Sequence, residues 1–290
     1  MARILISGAA GFLGGALVRH LAGSHDVWCL ARRPGPKLQG VTWVPHDLAC
    51  GRLPEGLPDR IDAIAHLAQS KRFREFPDGA ADMMAVNVAA PLYLADWARQ
   101  AGARTFVYAS TGGVYAPSEA ALSESDRVEA VGPLAFYCAS KLAAEMLLSP
   151  FGDSFAVVVL RPFFIYGPSQ PADMLMPRLV QRIRNGEPLT LQGSEGMRFN
   201  PIHVEDAARL TALALNLERG TVLNLAGPEV TTLKRVGETL AAGLGVAPLF
   251  ITEQGKTPPH LVADTHAMTQ TLGNPAIGLE AGLASLWQKT

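Results

Sequence analysis

Residues 3–21 read RILISGAAGFLGGALVRHL, and this stretch decides the fold class. It opens with a short apolar run, typical of a strand, that stops at Gly8. From Phe12 to Leu21 the apolar residues recur at helical spacing, which predicts an α-helix. A strand, a glycine turn and a helix in immediate succession predict the first unit of an α/β fold.

The alternation of strand and helix continues along most of the chain. Further strands are predicted over 26–30, 41–44, 62–67, 105–110, 156–160 and 222–225, and further helices over 83–101, 136–148 and 233–244, the last ended by Gly245. Residues 202–217 are predicted to form a turn that enters a helix. The strand runs are nearly all apolar, which is typical of a parallel sheet covered on both faces. The sequence therefore predicts an α/β fold built on a Rossmann-type, doubly wound parallel sheet.

The regular alternation of strands and helices stops after Tyr166, where Gly167-Pro168 and further prolines interrupt it. We interpret this change as the start of a smaller C-terminal lobe that binds substrate. The predicted dinucleotide-binding domain covers residues 1–167 and about 203–226. The predicted substrate-binding lobe covers about 168–202 and 227–290.

Composition excludes several classes of function. The chain has 290 residues, 48% of them hydrophobic, which is enough for an independent core. A formal net charge of -1 leaves no basic field to hold nucleic acid or a membrane surface, and no apolar run is long enough to span a bilayer. Three scattered cysteines suit neither a disulfide framework nor a zinc cluster, so we expect a cytoplasmic protein without a metal site.

Gly8, Gly11 and Gly14 form a glycine-rich turn between the first predicted strand and helix. Missing side chains let the backbone approach a pyrophosphate, and the helix N terminus at Phe12 and Leu13 supplies amides and a positive potential. A glycine triplet alone also fits an ordinary tight turn. Its position directly after the first strand favours dinucleotide binding.

The end of the second predicted strand bears on the choice of cofactor. In dinucleotide folds an acidic residue near this place binds the ribose 2′-hydroxyl, whereas an arginine accommodates a 2′-phosphate. Here the strand is followed by Arg32 and Arg33, with no carboxylate. We therefore expect NADP to be preferred over NAD, although both arginines would also suit a solvated rim.

Tyr137 and Lys141 lie one helical turn apart, so their side chains can act on one atom. A free tyrosine titrates near ~10, and an adjacent ammonium together with a cationic nicotinamide is expected to lower that pKa. The phenol can then exchange the proton of a substrate oxygen while hydride moves to or from a nicotinamide. Ser110 and Thr111, at the carboxyl end of a predicted strand, can hydrogen-bond the same oxygen. Taken without the neighbouring motifs, a tyrosine and a lysine at this spacing are usually an exposed pair on a helix surface.

Together these motifs resemble the extended short-chain dehydrogenase/reductase family, also called the NAD-dependent epimerase/dehydratase family. The resemblance extends from residue 3 to about residue 286. It rests on several motifs in the family's order, namely GAAGFLG at 8–14, HDL at 46–48, DAIAHLA at 62–68, Asn87-Val88, VYAST at 107–111, YCASK at 137–141, LRPFFIYGP at 160–168 and IHVEDAA at 202–208.

The resemblance implies roles for individual residues. Tyr137 would be the acid/base, Lys141 its electrostatic partner and a ribose ligand, and Thr111 the contact of the substrate oxygen. Asn87 would steady the active-site region. Further implied cofactor contacts are Asp47, Leu48, Leu67, Ala68 and Pro162, while His203 and Asp206 are expected to be structural. Members of the family often dimerise through the helices that carry Asn87 and Tyr137.

Two departures from the family's pattern narrow the expected chemistry. Dehydratases of the family carry Asp-Glu directly after the catalytic threonine, where this chain has Gly112-Gly113, so a 4,6-dehydratase is not expected. Enzymes acting on UDP- or TDP-sugars usually carry Asn where this chain has Phe164, whose phenyl ring cannot replace the amide. The candidate substrate contacts are Ser110 and Thr111 at the predicted strand end, and Phe164 and Arg198 further along the chain.

Three hypotheses for function follow, each with a small-molecule partner and a homodimer expected. The first is an NADPH-dependent reductase of a nucleotide-activated 4-keto sugar. The second is an NAD-dependent nucleotide-sugar 4-epimerase, which would use the same Thr111, Tyr137 and Lys141. The third is a non-catalytic cofactor-binding protein, which the intact residue set disfavours.

Overall fold

The computed structural model describes residues 1–287 and divides the chain into two compact units. The first unit comprises Met1–Ala116, Asp126–Pro162 and Ala208–Leu223. The second comprises Pro117–Ser125, Phe163–Ala207 and the chain from Asn224 onward. The short segment Pro117–Ser125 was not expected in the second unit, and the division of the chain by role, cofactor against substrate, stays a prediction.

A seven-stranded sheet forms the centre of the first unit. Its strands are β1 (Arg3–Ser7), β2 (Asp26–Ala31), β3 (Val41–Pro45), β4 (Ala63–His66), β5 (Thr105–Ala109), β6 (Ala156–Pro162) and β11 (Thr221–Leu225). They lie in the order β11-β6-β5-β4-β1-β2-β3, and the pairings from β6 through β3 are all parallel. The predicted doubly wound parallel sheet is confirmed.

The inner strands of this sheet are buried on both faces. Leu5 on β1, Ile64 on β4 and Phe106 on β5 are each 0% exposed, because helices cover both sides of the sheet. The chain runs from β1 outward to β3 in one direction and then from β4 outward in the other. This reversal between β1 and β4 is the kind of switch point where open α/β sheets bind their ligands.

The helices predicted from the sequence are present, together with short ones that were not predicted, such as Ala80–Met83, His266–Leu272 and Leu279–Ala284. They are α1 (Phe12–Leu21), α2 (Ala80–Met83), α3 (Ala90–Gln100), α4 (Ala135–Leu148), α5 (Leu175–Arg184), α6 (Val204–Ala214), α7 (Leu233–Leu244), α8 (His266–Leu272) and α9 (Leu279–Ala284). The helix predicted over 83–101 is interrupted, because Met84–Ala89 forms a π-helical segment between α2 and α3. None of the helices within residues 1–287 combines the length and the apolar character needed to cross a bilayer.

The second unit is built from short strand pairs and helices. Its strands are β7 (Ile165–Tyr166), β8 (Leu189–Gln192), β9 (Arg198–Phe199), β10 (Ile202–His203), β12 (Thr231–Thr232) and β13 (Phe250–Glu253). They pair as β7 with β10, β9 with β12 and β8 with β13. Gly245 ends α7 in the left-handed conformation at φ 71°, as predicted, and the Thr232 side chain caps its start.

Asp206 and His203 occupy structural positions in the second unit. The Asp206 carboxylate, 2% exposed, accepts hydrogen bonds from the backbone amides of Ala276 at 2.9 Å and Ile277 at 2.7 Å. The His203 ring lies 3.3 Å from the Ser285 hydroxyl and packs edge-on against Tyr166. Both residues therefore hold neighbouring segments together, as expected from the sequence.

Candidate active site

The predicted cofactor and catalytic residues of the first unit follow the carboxyl ends of its strands. Gly8 follows β1, Arg32 follows β2, Leu67 follows β4, Ser110 follows β5 and Pro162 ends β6. Because the strands are parallel, these ends share one edge of the sheet. The structure therefore brings the sequence-predicted residues of this unit to a common edge.

The glycine turn is packed too closely for a side chain at any of its three glycines. A Cβ atom added at Gly11 would lie 2.9 Å from the Gly8 carbonyl oxygen. A Cβ atom added at Gly8, whose φ is 72°, would lie 2.7 Å from the Ala68 backbone nitrogen. A Cβ atom added at Gly14 would lie 2.1 Å from the Gly8 carbonyl oxygen. The Gly11 amide donates to the same oxygen at 2.8 Å and closes the turn. The turn and the first turn of α1 can approach only because these residues are glycines.

The start of α1 fits a dinucleotide pyrophosphate. The helix begins at Phe12 after Gly11, which is exposed and has no side chain to cap it. The first amides of a helix have no acceptor within the helix, and its dipole attracts an anion. The amides of Phe12 and Leu13 are therefore suitable donors for a phosphate group.

The other predicted cofactor residues surround the neighbouring strand ends. Asp47 caps the short 3-10 helix Leu48–Cys50, since its Oδ1 accepts from the Ala49 amide at 3.1 Å. Leu48 and Ala68 are buried. Arg32 and Arg33 are exposed, and within residues 1–287 neither guanidinium has a hydrogen bond or ion pair, so both are free to meet a phosphate or water.

The phenol of Tyr137 is buried and already hydrogen-bonded. It is 8% exposed, donates to the Gln69 side-chain oxygen at 2.9 Å and packs against the Phe73 ring at 5.3 Å between centroids. Burial raises the pKa of Tyr137, and a hydrogen bond with the Thr111 side chain lowers it only in part. The neighbouring ammonium alone does not lower this pKa, because removal from water penalises the phenolate more than its neighbours stabilise it. The lowering expected when a cationic nicotinamide is bound stays a prediction.

Lys141 is one of the most buried cations of the first unit. The residue is 1% exposed. Its Nζ donates to the Ala109 carbonyl at 2.6 Å and lies 4.8 Å from the centre of the Tyr108 ring. Burial lowers the pKa of Lys141 to about 7, and the charge of Glu145 opposes that change. The amine therefore titrates close to neutral pH, which makes its charge sensitive to its neighbours.

Ser110 and Thr111 continue the chain from the end of β5. The Thr111 side chain accepts from the Gly113 amide at 3.1 Å and so starts the short 3-10 helix Gly112–Val114. The Ser110 hydroxyl donates to the Glu145 carboxylate, and the residue is 5% exposed. The Thr111 side chain lies within hydrogen-bonding reach of the Tyr137 phenol. Contact of Thr111 or Ser110 with a substrate stays a prediction.

Asn87 connects three segments beneath the predicted acid/base. Its side-chain oxygen accepts from the Ser70 amide at 2.8 Å, and its side-chain nitrogen donates to the Ser140 hydroxyl at 2.9 Å. Ser140 in turn donates to the Tyr137 carbonyl at 2.7 Å. These contacts agree with the steadying role that the family resemblance implies.

Sequence reasoning missed three side chains that touch this cluster. Gln69 meets the phenol, while Glu145 and Arg161 form a buried ion pair at 2.6 Å. Glu145 could have been found, since it is four residues beyond Lys141 on the same helix face. Arg161 and Gln69 lie at strand ends, where only the sheet order shows what they meet.

Two predicted substrate contacts lie in the second unit. Phe164 has a φ of 46°, in the left-handed region that a bulky side chain disfavours, and its ring packs edge-on against Phe199 at 5.1 Å. The Arg198 guanidinium donates to the Glu119 carbonyl at 2.8 Å and lies 3.4 Å from its carboxylate. Contact of either residue with a substrate stays a prediction.

Known proteins resemble the chain over nearly its whole length. A Bacillus subtilis (strain 168) protein named as the uncharacterized UDP-glucose epimerase YtcB is 28% identical over 307 residues, covering 98% of this chain and 96% of that protein. The structure of MoeE5 in complex with UDP-glucuronic acid and NAD is 29% identical, with a TM-score of 0.82 and coverage of 98% and 97%.

A third similar protein is the UDP-glucose 4-epimerase of Thermus thermophilus, solved with NAD. It is 28% identical, with a TM-score of 0.78 over 98% of this chain and 97% of that one. The family model described as the NAD dependent epimerase/dehydratase family matches residues 4–226. The chain therefore belongs to that family, within the extended short-chain dehydrogenases/reductases, and is an enzyme of its oxidoreductase and epimerase type.

Proposed function

We propose that the chain is a 4-epimerase of a UDP-activated sugar that uses a nicotinamide cofactor. The observation that carries the proposal is the content of the site. The Thr111 side chain meets the Tyr137 phenol, Lys141 lies one turn further along the same helix, and Gly112-Gly113 stand where dehydratases carry a second acid/base pair. Similarity over the full length to the Bacillus subtilis and Thermus thermophilus proteins supports the sugar class. This ranks the epimerase above the reductase, reversing the order of the sequence hypotheses.

Different residues of the first unit bind the cofactor, transfer the proton and position the substrate oxygen in this reaction. The glycine turn and the N terminus of α1 hold the pyrophosphate, and a bound nicotinamide supplies a hydride acceptor and donor. Tyr137 accepts the proton of the sugar C4 hydroxyl during oxidation and returns a proton to the ketone during reduction on its other face. Thr111 hydrogen-bonds the same oxygen, and the Lys141 ammonium favours the phenolate.

The proposal is tested by incubating the protein with NAD and either UDP-glucose or UDP-glucuronic acid, with the sugar followed by proton NMR. We expect the 4-epimer to accumulate to a constant ratio without net formation of NADH. Tyr137→Phe removes the group that carries the proton, so the rate should fall by about 10²–10⁴ while NAD binding persists. Failure of the wild-type protein to epimerise either sugar would refute this assignment of substrate and reaction.

A second candidate function is reduction of a nucleotide-activated 4-keto sugar by NADPH. Two observations favour it. Arg32 and Arg33 are exposed beside the predicted ribose position, with no carboxylate directly after β2. Burial also keeps Tyr137 in the protonated form that a ketone reduction needs. Steady oxidation of added NADPH by a UDP-4-keto sugar, without epimer formation from UDP-glucose, would select this candidate.

We also propose that the protein is a cytoplasmic homodimer. Large apolar side chains are exposed on the segment that carries Asn87 and on α4, namely Met84 at 47%, Met146 at 75% and Leu147 at 46%. Exposed apolar groups on two neighbouring helices are typical of a subunit interface. The molar mass from light scattering should be twice 30.8 kDa, and Met146→Lys should reduce it to that of a monomer.

A further inference from the structure

Three side chains of α4 lie in one row above the end of β5. Tyr137, Lys141 and Glu145 are spaced four residues apart, so they share one face of the helix. Lys141 donates to the Ala109 carbonyl at 2.6 Å, and the hydroxyl of Ser110 donates to the Glu145 carboxylate. Two successive members of the row thus hold two successive residues of the chain, directly before Thr111.

The Glu145 carboxylate is buried together with a cation. The side chains of Glu145 and Arg161 are 9% and 7% exposed, and two bonds join them, from Nη2 at 2.6 Å and from Nε at 3.2 Å. Arg161 also donates from Nη1 to the Tyr115 hydroxyl at 2.9 Å. A buried carboxylate needs a cation and hydrogen-bond donors in place of water, and this two-point contact supplies them.

We propose that Glu145 is a positioning residue, whose carboxylate, held in place by Arg161, fixes the end of β5 and keeps the Lys141 amine charged beside Tyr137. This inference rests on the roles proposed above for Tyr137 and Lys141. A buried ammonium needs a nearby negative charge, because its own hydration has been lost. Glu145 lies one helical turn away and carries such a charge.

The other titratable groups around Lys141 do not supply that charge. On β4, His66 is fully buried and bonded to the Ser7 hydroxyl at 2.8 Å, and burial lowers its pKa to about 3, so it is neutral. On β5, burial raises the pKa of Tyr108 far above neutral pH. Burial likewise keeps Tyr137 on α4 protonated. Among these described neighbours, the negative charge comes from Glu145.

The direct test is a titration of Lys141 in the protein without cofactor or substrate. The chain has six lysines, so side-chain NMR of 13C/15N-lysine-labelled protein is tractable, with Lys141→Met to identify the signal. Glu145→Gln keeps the size of the side chain and an acceptor for Ser110 but removes the charge. We expect the Lys141 pKa to fall by about 1 unit or more, because an opposite charge within one turn shifts a pKa by this amount.

The same variant should move the pH profile of the reaction. The alkaline limb of kcat/KM reports loss of the Lys141 proton, so Glu145→Gln should shift it to lower pH by the change seen in the titration. Glu145→Asp retains the charge on a shorter side chain, so it should lower kcat while leaving the limb in place. Glu238→Gln, an exposed control on α7 with a side chain 39% accessible, should change neither measurement.

An unchanged Lys141 pKa in Glu145→Gln would overturn the inference, and so would a loss of rate at every pH without movement of the limb. If Glu145→Gln does not fold, Glu145→Ala removes the same charge and is titrated in its place, and an unchanged Lys141 pKa there overturns the inference. A limb displaced by Glu145→Asp would also count against the role of the charge. The NMR titration contains no cofactor and no sugar. A failed epimerase assay and a failed inference about Glu145 are therefore separate results.

Discussion

Replacing Gly14 with alanine tests how closely the glycine turn packs on α1. The added Cβ would lie 2.1 Å from the Gly8 oxygen, 2.8 Å from the Gly8 carbonyl carbon and 3.0 Å from the Ala9 Cα. All three are backbone atoms, so a change of side-chain rotamer cannot relieve the overlap. The turn must move by about 1 Å to restore an ordinary contact, and overpacking of this kind costs about 1–3 kcal/mol.

The adjacent Gly15 provides the matched control. A Cβ added there would meet only the Arg19 side chain at 3.7 Å and the Ala9 oxygen at 3.8 Å, both ordinary contacts. Within a helix, alanine is favoured over glycine by about 0.5–1 kcal/mol, because the unfolded chain loses less freedom on folding. Neighbouring glycines of one helix should therefore respond to the same substitution with opposite signs.

Urea unfolding followed by circular dichroism measures the change in stability. Calorimetric titration with NAD and NADP measures the change in cofactor binding. Gly14→Ala should lose about 1–3 kcal/mol of unfolding free energy and bind cofactor about tenfold more weakly or worse, since about 1.4 kcal/mol corresponds to a factor of ten. Gly15→Ala should be at least as stable as the wild type. The reasoning is refuted if Gly14→Ala matches the wild type in both assays.

Three further variants test other parts of the molecule. Replacing Arg32 and Arg33 together by alanine should weaken NADP binding about tenfold or more and leave NAD binding nearly unchanged, because only a 2′-phosphate needs these cations. An equal loss of affinity for both cofactors in calorimetry would contradict this expectation. Asp206→Ala leaves two backbone amides of the second unit without their acceptor and should lower the unfolding free energy by about 2–4 kcal/mol in thermal denaturation, whereas a loss below about 0.5 kcal/mol would show that water replaces the carboxylate. Lys141 has a folded pKa of about 7 against 10.5 for its ordinary value, so the unfolded chain binds more protons between these limits and stability from this group rises with pH there. Urea unfolding should therefore show the wild type gaining on Lys141→Met by up to about 1.4 kcal/mol per pH unit in that window, and a constant difference would exclude a depressed pKa.

Periodicity of apolar residues was sufficient to predict most of the first unit. The bounds of β1 and α1 agree with the predicted ones, because a fully apolar strand next to an amphipathic helix leaves little choice of structure. The short strands of the second unit were not predicted. A two-residue pair such as β7 with β10 is defined by its partner, so it has no signal of its own in the sequence.

Prediction of the site divided along similar lines. The glycines of the turn, Tyr137 and Lys141 could be identified as site residues, because their spacing within one turn or one helix is visible in the sequence. Gln69 and Arg161 could not, since their contacts join segments distant in the chain. The effect of burial on the pKa of Tyr137 could not be predicted for a related reason: burial is a property of the packed protein, and the spacing of a tyrosine and a lysine does not report it.

The π-helical segment Met84–Ala89 has a consequence for how this enzyme tolerates insertions and deletions. Each residue of an α-helix advances the chain by about 100° around the axis, so adding or removing one residue here would turn all of α3 by that angle. Leu94 and Ala98, both 0% exposed, would then leave the sheet, and polar positions would take their place. We therefore expect this segment to accept changes of residue type on its exposed side much more readily than any change of length.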